Sequence, residues 1–158
     1  MSKLDLECWV DNIEAFLKAH LNSKLVQIDT EKNSGWTTEP VSDEAYIFQS
    51  LDNLVVNFDP MLFYGISSVT GESIESANGK IVTVEVTVIK YDNEDKNIGK
   101  KLLRYQRALE EIFQENYIKI NSVRQKTKVS SLQPVSFELQ NSSDRFKAIG
   151  IEMEFSMF

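Results

Sequence analysis

Ile81-Val82-Thr83-Val84-Glu85-Val86-Thr87-Val88-Ile89-Lys90-Tyr91 is the stretch that decides the fold. Successive side chains of an extended strand point to opposite faces, so Val82, Val84, Val86 and Val88 share one face while Thr83, Glu85 and Thr87 share the other. A strand that is apolar on one side only predicts a half-buried sheet, and a doubly wound parallel sheet would need a regular strand-helix alternation that the chain lacks. Just upstream, Asn78-Gly79 is the dipeptide best suited to the positive φ of a hairpin turn. A polar stretch over 67–79 leads back from it to an apolar run at 61–69, which reads as the partner strand. Residues 46–48 and 54–58 read as further strands, joined by tight turns at Asp52-Asn53 and Asp59-Pro60.

Downstream, residues 92–97 turn the chain and cap a helix running from about 98 to 116. At 100° per residue, Leu102, Tyr105, Leu109, Ile112 and Phe113 form its core stripe, with Lys100, Arg104, Arg107 and Glu111 opposite and Leu103 off the stripe beside Glu110. Three strands follow, at 117–123, 128–140 and 146–158. In the last, Ile149, Ile151, Met153, Phe155 and Met157 alternate with Gly150, Glu152, Glu154 and Ser156, which makes the terminal strand part of the core.

The N-terminal segment is an amphipathic helix with Trp9, Val10, Ile13, Phe16, Leu17, His20 and Leu21 on one arc and Asp11, Glu14 and Lys18 outside it. Ser2 or Asp5 can cap its start, and Asn22-Ser23 offers a stop before a short strand at 24–28. Cys8 falls off the arc and is expected exposed and reduced. Residues 29–44 are polar, with Gly35, Pro40 and no sustained period, and read as a long loop with Trp36 in its middle. A tryptophan there either packs back on the core or meets a partner. The whole predicts an α+β protein, with a mainly antiparallel β-sheet and two α-helices packed on one face. Residues 1–158 form a single domain with long loops near 29–44 and 67–79.

Among the 158 residues, 17 Lys+Arg against 24 Asp+Glu leave a formal charge of −7, with one His and one Cys. One Cys excludes an internal disulfide, and together with one His it cannot supply a structural zinc site. An acidic chain without a basic block lacks the face that phosphate neutralisation needs, which argues against tight nucleic-acid binding. No apolar run approaches the length of a membrane span, and Asp and Glu stand where a leader peptide needs an apolar stretch, so the product is expected in the cytosol or in an assembly built there.

No catalytic template is met. Neither Gly79-Lys80 nor Gly99-Lys100 has the upstream Gly or the following Ser/Thr of a phosphate-binding loop, and no nucleophile elbow is present. His20, read at the end of an apolar helix arc, is explained by packing and the helix dipole. Asp92-Asn93-Glu94-Asp95 lacks the Gly and the distal Glu of a calcium loop and reads as turn and cap. No catalytic, cofactor-binding or metal residue is therefore assigned, and no cofactor is expected. A small cytosolic α+β enzyme or ligand-binding domain with a site built from dispersed residues stands as the reading from another class.

Two charged groups stand out. Lys100, Arg104 and Arg107, with Leu103 at their edge, are either a solvated helix face with an Arg107–Glu111 pair or a subunit contact with an apolar anchor. Glu85, Glu138, Glu152 and Glu154 occupy the outward phase of their strands.

The order of elements also resembles a family. Val88-Ile89-Lys90-Tyr91-Asp92 closing the long strand, the helix Lys101-Leu102-Leu103-Arg104-Tyr105-Gln106-Arg107-Ala108-Leu109, and the terminal Ala148-Ile149-Gly150-Ile151-Glu152-Met153-Glu154-Phe155 carry the likeness. Together with the N-terminal helix they are similar to tail terminator and tail-completion proteins of tailed bacteriophages; head-completion and connector proteins of the phage neck share this size and style. The resemblance implies a subunit that assembles as a homo-oligomeric ring, commonly a hexamer. Such a ring caps the tail tube protein's finished tube and presents the surface to which the DNA-filled head docks through its head–tail connector protein. Made in the host cytoplasm, it ends in the virion and uses no membrane. DNA would pass through without being bound, so Glu85, Glu152 and Glu154 are expected toward the lumen, where they repel phosphate. Lys100, Leu103, Arg104 and Arg107 are expected at the subunit contact, and the loops around Trp36 and 67–79 against tube or connector.

Overall fold

The computed structural model describes residues 6–48, 56–70, 81–92, 95–116, 118–120, 123–124, 126–131, 135–138 and 145–156. Its elements are α1 (Leu6–Lys32), β1 (Tyr46–Phe48), β2 (Met61–Thr70), β3 (Ile81–Tyr91), α2 (Ile98–Glu115), β4 (Lys119–Ile120), β5 (Val123–Arg124), β6 (Lys126–Ser131), β7 (Val135–Glu138) and β8 (Arg145–Ser156). The main sheet is six-stranded in the order β1-β2-β3-β8-β6, with β7 also on β8, and β4-β5 form a separate pair. All pairings in the main sheet are antiparallel except β1 with β2.

The valine stripe does what its phase requires. Val82, Val84, Val86 and Val88 are buried with Leu62 and Tyr64 of β2 and with Ile151, Met153 and Phe155 of β8. Trp9, Ile13, Leu17 and Leu21 of α1 and Tyr105, Leu109 and Ile112 of α2 complete the same cluster, so both helices lie on one face of the sheet. Full burial of each such aliphatic side chain stabilises by roughly 1.5–3 kcal/mol. Phe16 stacks on Phe113 at 4.6 Å near one end of the helix pair, and Asp29 meets Arg104 near the other, which sets α1 and α2 antiparallel. The fold is α+β, as the alternation predicts.

The other face is divided. At one end Met61, Phe63, Ile89, Phe146 and Ala148 form a second buried cluster with Ile47, Val56 and Tyr91 packed against it. At the other end lie Thr83, Glu85, Glu152 and Glu154. Between them a Cβ on Gly150 would sit 2.3 Å from the Val86 carbonyl oxygen, so the close approach of β3 and β8 at that point requires glycine.

Several expectations need correction. Asn22-Ser23 does not stop α1, and 24–28 is not a strand: Leu25 and Ile28 continue the apolar row of Leu21 at spacings of four and three and are buried. His20 therefore lies inside the helix, half-buried with its ring 4.6 Å from Phe16, and the helix dipole plays no part in placing it. Cys8 is half-buried against the core, not exposed, and Asn12 Nδ2 lies 3.3 Å from its Sγ. The first long loop begins only after Lys32 and contains a 3-10 turn at Asp43–Ala45. β1 runs parallel to β2, and 56–60 are not in a strand, while the turn expected at Asp52-Asn53 and residues 54–55 lie outside the described residues. β2 extends through Thr70 into what read as the second loop, while 71–80, with Asn78-Gly79, lie outside the described residues. The strand expected at 117–123 is replaced by the small β4-β5 pair, and that expected at 128–140 divides into β6 and β7.

Tyr46, in β1, carries a buried hydroxyl with no hydrogen-bond partner among the described residues, and burial pushes its ionisation well above the ordinary phenol range. Removing an unpaired buried hydroxyl relieves a desolvation cost, so Tyr46→Phe is expected to stabilise by about 1 kcal/mol. A lowered urea midpoint for this variant would mean that the hydroxyl has a partner after all.

Candidate interaction surface

The polar side of α2 carries four cations, and the structure spends three of them inside the chain. Arg104 is buried: its guanidinium lies 2.8 Å from Asp29 Oδ1, donates to Ser34 Oγ, and covers the Trp36 ring at 3.9 Å. The second Asp29 oxygen accepts from Thr38 N at 3.0 Å and Thr38 Oγ1 at 2.8 Å, so the buried carboxylate is fully engaged. Lys101 reaches Glu39 and Asp95, each at 2.7 Å, while Lys90 of β3 reaches Glu39 at 3.0 Å and Asp59 at 3.3 Å. Arg107 bridges Glu31 at 2.7 Å and Glu111 at 2.8 Å. Asn22 holds Val41 through both main-chain groups, and the Tyr105 hydroxyl donates to the Glu39 carbonyl.

These contacts strap residues 33–42 across the ends of α1, α2 and β3. They also engage two of the four residues Lys100, Leu103, Arg104 and Arg107 expected at a subunit contact. Arg104 is 7% exposed and Arg107 is ion-paired on two sides, which leaves Lys100 and Leu103, the latter 56% exposed, as the open part of that group. Because Leu25 and Ile28 carry α1 onward through 29–32, Asp29 and Glu31 lie in its last turns and face α2 rather than belonging to the loop. Trp36, half-exposed, is neither a core plug nor free: it forms the floor under the Arg104 guanidinium.

Glu39 is the hub of the strap. Burial alone would raise its carboxyl, but hydrogen bonds from Lys101 and Lys90 outweigh that and hold it below the usual range. Asp95 shifts the same way, first through the Lys101 hydrogen bond and then the Asn97 main-chain N–H. A carboxyl with a depressed folded pKa contributes stability that is complete above its unfolded value and lost as pH falls through the folded one. Acidification below the ordinary Glu value of 4.5 is therefore expected to loosen the strap. In a Trp9→Phe variant, where Trp36 is the remaining indole, its fluorescence should change over that window; a signal flat until global acid unfolding would count against the coupling.

On the helix-free face, Glu85 sits directly across from Glu152, and Thr83 across from Glu154. All three carboxylates are half-buried, and none has an ion pair among the described residues. Lys128 of β6 takes the register position opposite Glu154. Like charges directly opposed across a ladder are unfavourable, so Glu85 and Glu152 mark a region of negative potential. The structure thus brings the three glutamates together and places Trp36, Lys100 and Leu103 on the helix side. Glu138 lies on β7, which joins β8 further along. Among the described residues no cluster of three or more His, Cys, Asp or Glu could hold a metal ion, and no helix is long and apolar enough to cross a membrane. No protein-family model matches the chain, and a search of curated proteins finds no match.

Proposed function

We propose that the chain is a structural virion protein, a tail terminator whose copies form a ring that caps the phage tail tube and offers the head-docking surface. One observation carries the reading: the two helices cover a single face of the sheet, and the other face exposes the opposed pair Glu85–Glu152 with Glu154 beside it. A ring that turns this face inward lines its channel with carboxylates, which repel phosphate and let DNA slide without sticking. A negative patch with no ion pair among the described residues has a use in that setting.

The subunit contact now rests on Lys100 and Leu103, because Arg104 and Arg107 are committed within the chain. The strap around Trp36 is the rigid feature available to meet tube or connector. Its rigidity matters because a preorganised surface pays less ordering entropy on docking. Negative-stain microscopy and mass photometry of the purified protein, alone and with tail tubes from the same genome, test the proposal. Rings are expected; a compact monomer in both conditions overturns it.

A further inference from the structure

Among the described residues the main sheet ends in two open edges that span the same rows. β1 pairs with only the first part of β2, at Leu62, Phe63 and Tyr64, so among the described residues 65–70 are bonded on the β3 side alone. Residues 67–70 are exposed. At the far side, β6 is bonded only to β8 among the described residues. Across the four strands Thr70, Ile81, Ser156 and Lys126 form one row, Ser68, Thr83, Glu154 and Lys128 another, and Gly65, Glu85, Glu152 and Ser130 a third, with one register shift in β2 between Ile66 and Ser68.

We propose that β6 of one copy pairs with residues 65–70 of β2 in a second copy, so that the sheet continues head to tail from subunit to subunit. This rests on the ring reading and names its seam. Three features select the second copy as occupant. First, β2, β3, β8 and β6 alternate in direction, so a copy added by rotation alone presents β2 antiparallel to the waiting β6. Second, on either side of the β2 bulge at Ser67 the two edges span the same rows, so an added copy that absorbs the bulge needs no net shift along the strands; a rotation without translation closes a ring where a shifted one would wind a filament. Third, Lys126 and Lys128 give β6 positive charge, while 65–70 carry no charge and Asp11 and Glu14 of α1 act on the adjoining Tyr64 of β2. Pairing β6 with β6 would oppose lysines, whereas β6 with β2 does not. An unpaired edge also invites uncontrolled pairing, and a seam satisfies its main-chain groups.

The test uses the full chain with Cys8→Ala as background. Ser68→Cys and Lys128→Cys together, treated with a short bifunctional thiol reagent, should yield a ladder of covalent multimers on a denaturing gel. Either substitution alone should stay monomeric, and a mixture of the two single variants should stop at dimers. Dimers from Ser68→Cys alone would show a two-fold β2–β2 contact, and dimers from Lys128→Cys alone a β6–β6 contact; each overturns the seam. Rings in negative stain without the ladder overturn the seam and leave the ring reading standing, while monomers with and without tail tubes overturn both. Moving the first cysteine from Ser68 to Val26, exposed on α1, should abolish the ladder; if the ladder persists, the cross-link is not reporting the edge, and the seam is overturned.

Discussion

Arg104→Ala is expected to lower the free energy of unfolding by about 3–5 kcal/mol, because it strands the buried Asp29 carboxylate without its counter-charge. The geometry puts this pair outside the class of exposed ion pairs, which contribute about 0–1 kcal/mol. Arg104 and Asp29 are 7% and 8% exposed, and Trp36 and Thr38 close the remaining sides. The same substitution removes the cation from the Trp36 ring and the donor from Ser34, so residues 33–42 should also become more open to proteolysis. Replacing both partners, Arg104→Met with Asp29→Leu, should recover most of the loss, since apolar groups of similar size remove the desolvation cost along with the attraction. Urea unfolding of the three variants reads both effects. A loss no larger than that of a surface pair would show that Arg104 is solvated, and the strap would then be a loose loop.

Phe155→Ala is expected to cost about 3–5 kcal/mol, the range for deleting a fully buried aromatic. Phe155 stands near the end of the chain, where fraying is the usual expectation. Yet β8 is flanked by β3 on one side and by β6 and β7 on the other, and the Phe155 side chain is fully buried. Its ring meets Trp9 edge-on at 5.0 Å, which ties the last strand to the first turns of α1. The substitution should therefore lower the denaturant midpoint and alter the near-ultraviolet dichroism of Trp9 together. A variant close to the parent in stability would mean that the terminal strand is peripheral.

The sheet was legible because its signal is local. β3 is delimited by its own valine alternation, and Ile149, Ile151, Met153 and Phe155 mark β8 in the same way. α1 was half legible: Asn22-Ser23 has the composition of a stop, but capping preference is outweighed once Leu25 and Ile28 can be buried beneath α2. The parallel pairing of β1 had no local signal, since strand direction depends on the path between 48 and 61. The Arg104 site was misread for a related reason. Helical phase alone sets Arg104 opposite the core stripe, and only the extension of α1 and the return of 33–42 bring Asp29, Ser34 and Trp36 over it. The acidic face, by contrast, followed directly from strand alternation, and cross-strand register added that Glu85 and Glu152 are direct neighbours.

Three of the four basic groups of α2 are engaged in holding the helix layer and its strap together, while Glu85, Glu152 and Glu154 gather on the helix-free face of the sheet. An assembly subunit with that division would use its helix layer as scaffold, its edges as seams and its bare face as the channel wall.

The most direct measurement is end-capping of tail tubes. Purified protein is added to tubes polymerised from the tube protein of the same genome, and the ends are viewed by negative-stain microscopy, with the triple variant Glu85→Gln, Glu152→Gln and Glu154→Gln beside the parent. A disc is expected at one end of each tube for both proteins, with measurable retention of double-stranded DNA by the neutralised variant only. Bare tube ends with the folded parent protein would contradict the terminator reading.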